Sequence, residues 1–147
     1  MDFVFGASWL RVTVISVTLS GLVFTWTNER KSVERANRLH RTGNLPKAVA
    51  VYQNRIDSDS LRLGLRYNLG TSLLELGSAR AEEELAFGVE SNDNQVTKLA
   101  LYNLGVSRLL RAVSAENVDS MIIHARASVQ ATRNTLRLSP DQADAKW

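Results

Sequence analysis

The side chains best suited to chemistry are two histidines, His40 and His124, and the acidic run Glu82-Glu83-Glu84. An imidazole can ligate a metal or act as a general base, and neighbouring carboxylates can share acid–base work. The spacing argues against both. Neither histidine has a carboxylate or a second histidine at ligand spacing, so each reads as a surface or interface residue. The three glutamates read as a solvated helix start, favoured by the helix dipole. The chain has no cysteine, which excludes thiolate metal sites, thiol catalysis and disulfide frameworks together. No phosphate-binding loop, serine nucleophile elbow or paired-carboxylate motif is present. The chain is therefore expected not to be an enzyme, and to need no metal and no cofactor.

Binding is the better-supported chemistry. The tetrapeptide Tyr67-Asn68-Leu69-Gly70 returns unchanged as Tyr102-Asn103-Leu104-Gly105, 35 residues later. Each copy opens a stretch that reads as a helix. A fixed period in the mid-thirties, built from paired helices, marks a helical repeat array, and such arrays work mainly as binding surfaces.

The elements that must position these residues follow from apolar spacing and turn signals. Residues 28–42 read as a helix with Val33, Ala36 and Leu39 on one stripe, closed by Gly43-Asn44. Pro46 then suits the first turn of the next helix, whose inner face carries Ala48, Val51, Tyr52 and Ile56. Asp57-Ser58-Asp59-Ser60 reads as a polar turn. Further helices are expected over 61–76, ending at Gly77, over 79–89, over 95–113 and over 118–138. Gly70, Gly105 and Ala36 fall where two helices must approach closely, while Tyr52, Leu69, Leu85 and Leu104 fill the spaces between. Ser139-Pro140-Asp141 stops the last helix and opens another, begun by Gln142-Ala143-Asp144-Ala145-Lys146-Trp147.

The N-terminal part has a different character. From Phe3 to Trp26 the one charged residue is Arg11, and the stretch reaches the length of about 20 residues needed to cross a bilayer. Trp9 and Trp26 stand near its ends, where indoles favour the headgroup layer, and Arg11 can snorkel to the surface. A cleaved signal peptide is the competing reading. The Met1-Asp2 start lacks a basic region, and Phe24-Thr25-Trp26-Thr27 offers no good cleavage site, which favours an uncleaved anchor. Residues 1–27 are thus expected to be a transmembrane anchor, and residues 28–147 one helical domain.

The net charge of +3 is unevenly placed: nine basic residues against four acids lie between Glu29 and Arg66, beginning with Arg30 and Lys31. Lysine and arginine accumulate on the cytoplasmic flank of a membrane span, which would place the domain inside. Contact with anionic lipid or an acidic partner is the alternative. Nucleic acid is not expected, since no basic-aromatic recognition motif accompanies the charge.

The motifs Ala36…Gly43…Ala48…Tyr52, Leu69-Gly70…Gly77…Ala81…Leu85…Gly88 and Leu104-Gly105…Leu136-Arg137-Leu138-Ser139-Pro140 resemble the tetratricopeptide repeat (TPR) family. The resemblance covers residues 30–147. It departs from the pattern at Ser128, Thr132 and Thr135, which stand where alanine, an aromatic residue and alanine are expected. That last helix is therefore expected to pack loosely or to meet another protein. More narrowly, the anchor, the Gly43-Asn44-Leu45-Pro46-Lys47-Ala48 turn and the residue 140–147 ending are similar to membrane-anchored TPR proteins of bacterial aerotolerance-type operons. The resemblance implies an all-α fold: an N-terminal transmembrane helix followed by a short TPR-like α-solenoid of about three helix pairs. It also implies a scaffolding or assembly role at the bacterial inner membrane, with members often holding their repeats outside the cytoplasm, against the charge rule.

In such arrays the first helices line a concave groove. By resemblance, the partner-binding positions are Asn37 and Arg41, then Tyr67, Asn68 and Thr71, then Tyr102, Asn103 and Val106. An asparagine amide both donates and accepts, so the three asparagines suit an extended peptide. The membrane-interface residues are Trp9, Arg11, Trp26, Arg30 and Lys31. The partner is expected to be a membrane-associated protein, with the bilayer engaged through the anchor. The alternative is a small accessory subunit of a large respiratory or photosynthetic membrane complex. Gly6, Ala7, Ser16, Ser20 and Gly21 would allow its anchor close helix contact there.

Overall fold

The computed structural model describes residues 30–58 and 62–138, and these are helical throughout apart from short turns. Helix α1 covers residues 30–41, followed by α2 (Leu45–Ser58), α3 (Leu63–Glu75), α4 (Ala81–Val89), α5 (Asn94–Val113) and α6 (Val118–Arg137). The expected transmembrane segment, with Trp9, Arg11 and Trp26, lies outside the described residues, as does the segment 139–147. None of the described helices is long and apolar enough to cross a membrane. Arg30 and Lys31 are exposed at the start of α1.

Each helix ends where its sequence demands. Gly43 and Gly77 take φ of +74° and +69°, the left-handed conformation that closes α1 and α3. Asp93 caps α5, its Oδ1 accepting from the Gln95 and Val96 amides at 2.8 and 3.3 Å, and Asn117 caps α6 by accepting from the Ser120 amide at 2.8 Å. Helix α3 starts at Leu63 rather than 61, and two further boundaries differ from the sequence reading. Helix α2 continues through Asp57 and Ser58, where the Ser58 hydroxyl donates to the Arg55 carbonyl at 2.8 Å. Helix α4 starts at Ala81 rather than Ala79, because residues 78–80 form a turn in which the Ala81 amide donates to the Ser78 carbonyl.

Helices α2 to α6 each pack on the next, and α3 also packs directly on α5. That extra contact makes the arrangement repeat-like, because it joins the first helices of two successive pairs. Tyr52, Leu69 and Leu85 are the largest fully buried side chains, surrounded by Ala36, Ala48 and Ala81. Complete burial of one such leucine is worth about 1.5–3 kcal/mol relative to exposure.

Small residues set the spacing. A Cβ on Gly70 would stand 2.8 Å from Leu85 Cγ and 2.9 Å from the Leu85 amide nitrogen, so α3 and α4 touch backbone to backbone there. Helix α6 is not loosely held where it meets α5. Ser128 is buried, and its hydroxyl donates to the Gly105 carbonyl at 2.8 Å, which gives the small polar residue a partner at the crossing. The face of α6 turned away from this crossing stays exposed at Val118, Ile122 and Val129.

Candidate partner-binding cleft

Helices α1 and α3 meet along a polar ladder. The Tyr52 hydroxyl donates to Asn37 Oδ1 at 2.6 Å, and Asn68 Nδ2 donates to the same oxygen at 3.4 Å. One turn further on, His40 Nδ1 lies 3.0 Å from Ser72 Oγ, and its Nε2 lies 3.4 Å from Glu75 Oε1. The Ser72 hydroxyl also donates to the Asn68 carbonyl at 2.9 Å. His40 is thus a two-point bridge between helices. Its carboxylate partner is 35 residues away in sequence, beyond the reach of any local spacing argument.

Asn37, His40, Arg41, Tyr52, Tyr67, Asn68 and Thr71 line one cleft of about 190 Å³. Five of the eight groove positions expected from sequence therefore meet in one place. Of the other three, Asn103 reaches the rim, its Nδ2 donating to Thr71 Oγ1 at 3.0 Å. Tyr102 and Val106, on either side of Asn103 in α5, do not line the cleft, and Tyr102 is 56% exposed. Tyr52, read from sequence as core filling, is the residue missed: its ring is buried while its hydroxyl forms part of the cleft wall. Burial pushes the Tyr52 phenol up to about 12, and the opposing pull of Arg41 is too weak to reverse it.

The cleft is small and open to solvent on one side. At roughly 30 Å³ per water the cleft holds about six waters, less than the roughly 300 Å³ or more usual for a drug-sized ligand or cofactor. One or two residues of a peptide match it better. Among the described residues no group of three His, Asp or Glu side chains could hold a metal ion.

The acidic run does not behave as a solvated helix start. Glu84 is 4% exposed, bound by Arg66 Nη1 at 2.9 Å and approached by Arg80 Nη2 at 3.6 Å. Glu82 receives Arg108 Nε at 2.8 Å and Arg111 Nη1 at 2.9 Å. Burial raises the Glu82 carboxyl, but hydrogen bonds and charge from the two arginines outweigh it and hold the group below its usual 4.5. Helix α4 is therefore clamped to α3 through Glu84 and to α5 through Glu82. Only Glu83 keeps the exposure expected of all three. A second, larger depression of about 500 Å³ lies between the turn after α3 and the facing ends of α5 and α6, with His124 on its wall.

Comparison of the chain with protein-family models, with curated proteins and with solved structures finds no match.

Proposed function

We propose that this chain is a membrane-anchored, TPR-like α-solenoid that binds a protein partner at the membrane, holding a short extended segment of it in the cleft between α1 and α3. The observation that carries the reading is the orientation of two amides. Asn37 uses its Oδ1 to accept from Tyr52 and Asn68, and Asn68 uses its Nδ2 to donate. Asn37 Nδ2 and Asn68 Oδ1 take no part in these bonds, which leaves one donor and one acceptor in the wall of the same cleft. That pair complements the C=O and N–H of a peptide unit. Tyr67 adds a flat apolar wall with a polar tip, and Arg41 adds positive charge at the mouth.

The anchor over residues 1–27 rests on the length and apolarity of that stretch. The excess of Lys and Arg beginning at Arg30 and Lys31 supports a cytoplasmic domain, while the bacterial inner membrane is what the family resemblance implies.

A second reading has its own support. Asn103 donates to Thr71, so asparagines of the repeat also brace neighbouring helices. A chain whose polar residues serve bracing would suit an accessory subunit packed within a large membrane complex. Gentle detergent extraction of native membranes, followed by size separation and mass spectrometry, separates the two. On the binding reading, the co-migrating protein is lost when Asn68→Ala and Asn103→Ala are combined and survives replacement of residues 3–26 by an unrelated apolar helix. The reverse pattern belongs to the accessory subunit.

A further inference from the structure

Helix α3 ends at Glu75, five residues past Gly70 of its tetrapeptide, and α5 ends at Val113, eight past Gly105. Measured from the repeat, α5 therefore runs about one turn further than its counterpart. The larger depression, about 500 Å³, lies at this step, with Leu74 and Ala79 on one side and Leu110 and Ala115 on the other. Its volume falls within the roughly 300–1,000 Å³ of small-molecule sites, which the cleft between α1 and α3 does not reach.

The repeat shows what the polar groups of this depression lack. Ser72 and Ser107 hold matched positions 35 residues apart, and both are buried. The Ser72 hydroxyl donates to the Asn68 carbonyl at 2.9 Å and lies 3.0 Å from His40 Nδ1. Ser107 is 6% exposed and lines the depression, yet its hydroxyl makes no hydrogen bond among the described residues. A buried hydroxyl left unbonded is costly, and a ligand oxygen that accepts its proton removes the cost. His124 of α6 lines the same depression, and its imidazole likewise has no partner among the described residues.

Arg111 sets the sign of the ligand. It stands one turn beyond Ser107 on the same face of α5 and also lines the depression. Its Nη1 binds Glu82 at 2.9 Å, but Glu82 takes Arg108 at 2.8 Å as well, so the three side chains together carry one net positive charge. Among the described residues no acid lines the depression. Glu75, next to Leu74, lies 3.4 Å from His40 instead, and Glu116 and Asp119 are exposed outside the walls.

We propose that this depression is a binding site for a small carboxylate with an apolar body of about ten carbons. The carboxylate is held by Arg111, Ser107 and His124, and the body lies on Leu74 and Leu110. An uncharged head would leave the net positive charge of the Arg108–Glu82–Arg111 cluster unanswered, and a head without a body would leave the leucines wet. At roughly 30 Å³ per water-sized group, the depression holds about 16 non-hydrogen atoms, enough for such a molecule. The site is separate from the cleft between α1 and α3 and does not depend on what that cleft binds.

The probe is 2-naphthoate, titrated into the full chain in detergent, with protein-free micelles as the blank. The chain has two histidines, so their imidazole resonances report separately on His124 in this depression and His40 in the smaller cleft. Saturable movement of the His124 signals is expected, with a dissociation constant below about 1 mM and His40 unmoved. The neutral 2-naphthamide and the bodiless acetate are each expected to bind at least about tenfold more weakly. Arg111→Gln is expected to weaken naphthoate about tenfold and Ser107→Ala about threefold, with helix content unchanged. Ser107→Ala leaves the Glu82 contacts intact, so it carries the test if Arg111→Gln loosens the helices. Arg126→Gln removes an exposed charge of α6 outside the depression and is expected to change nothing. A His124 signal that does not saturate by about 5 mM, equal binding of the amide, or indifference to Ser107→Ala would each overturn the proposal. Tighter binding of N-acetyl-leucyl-leucine than of naphthoate would assign the site to a protein C-terminus, with the same effect.

Discussion

The Tyr52 hydroxyl sits 2.6 Å from Asn37 Oδ1, and through this bond a side chain rooted in α2 fixes an amide on α1. The bond determines which end of Asn37 faces Asn68 and so which atoms remain for a ligand. Tyr52→Phe keeps the buried ring and removes the hydroxyl. It is expected to cost about 1 kcal/mol of stability, and to weaken binding in the cleft more than that loss of stability would. Ultraviolet titration of the wild-type chain should show one tyrosine ionising only near pH 12, and that step should vanish in Tyr52→Phe. Because the folded state favours the neutral phenol, stability should fall as pH rises above the usual tyrosine value of 10.0.

Gly70 and Gly105 hold the same place in the two copies of the tetrapeptide, yet alanine should not be equally tolerated at them. A Cβ at position 70 meets the Leu85 side chain and its backbone nitrogen within 2.9 Å, and backbone cannot rotate away. A Cβ at position 105 meets Thr132 Oγ1 at 3.0 Å, the end of a side chain that can turn. Gly70→Ala is expected to cost about 1–3 kcal/mol even after alanine's better helix propensity. Gly105→Ala is expected to stay within about 1 kcal/mol of wild type. Urea unfolding of both variants checks the contrast.

Glu84 is the most buried carboxylate of the clamp, and Arg66 stacks over the Phe87 ring at 4.3 Å while binding it. Glu84→Ala removes the buried carboxylate that Arg66 binds and is expected to destabilise by about 2 kcal/mol. Glu84→Gln keeps the shape and one acceptor, so a smaller loss is expected. Thermal unfolding that ranks the two variants in the opposite order would remove the clamp from the account.

The sequence carried the helices and the small-residue crossings, because those signals are local. Gly43 and Gly77 announce left-handed helix ends, and the Tyr-Asn-Leu-Gly period places Gly70 and Gly105 at close approaches. The charged contacts were hidden for the opposite reason. Glu84 finds Arg66 at 18 residues' remove, and Glu82 finds Arg108 and Arg111 at 26 and 29. A run of three glutamates looks alike whether it faces water or a neighbouring helix. The cleft was half legible: the asparagine positions followed from the repeat, but which amide oxygen is already occupied depends on Tyr52, whose role in the core concealed its polar end.

The two arginines on Glu82 make a sign-definite prediction about acid. Burial alone would favour the protonated carboxyl, but Arg108 and Arg111 favour the charged form more strongly, so the folded chain holds this group below 4.5. The unfolded chain takes up the proton first as pH falls. The stabilisation from Glu82 is therefore complete at neutral pH, begins to be lost as pH drops through the usual glutamate value near 4.5, and is gone below the lowered folded value. Glu82→Gln leaves two arginines beside a neutral amide at every pH, so it should lower the melting temperature at pH 7. Between pH 7 and pH 3.5 the variant should lose less stability than the wild type, so the gap between them should narrow. Melting curves whose gap stays constant over that range would mean that the Arg108–Glu82–Arg111 cluster does not hold α4 to α5 in solution.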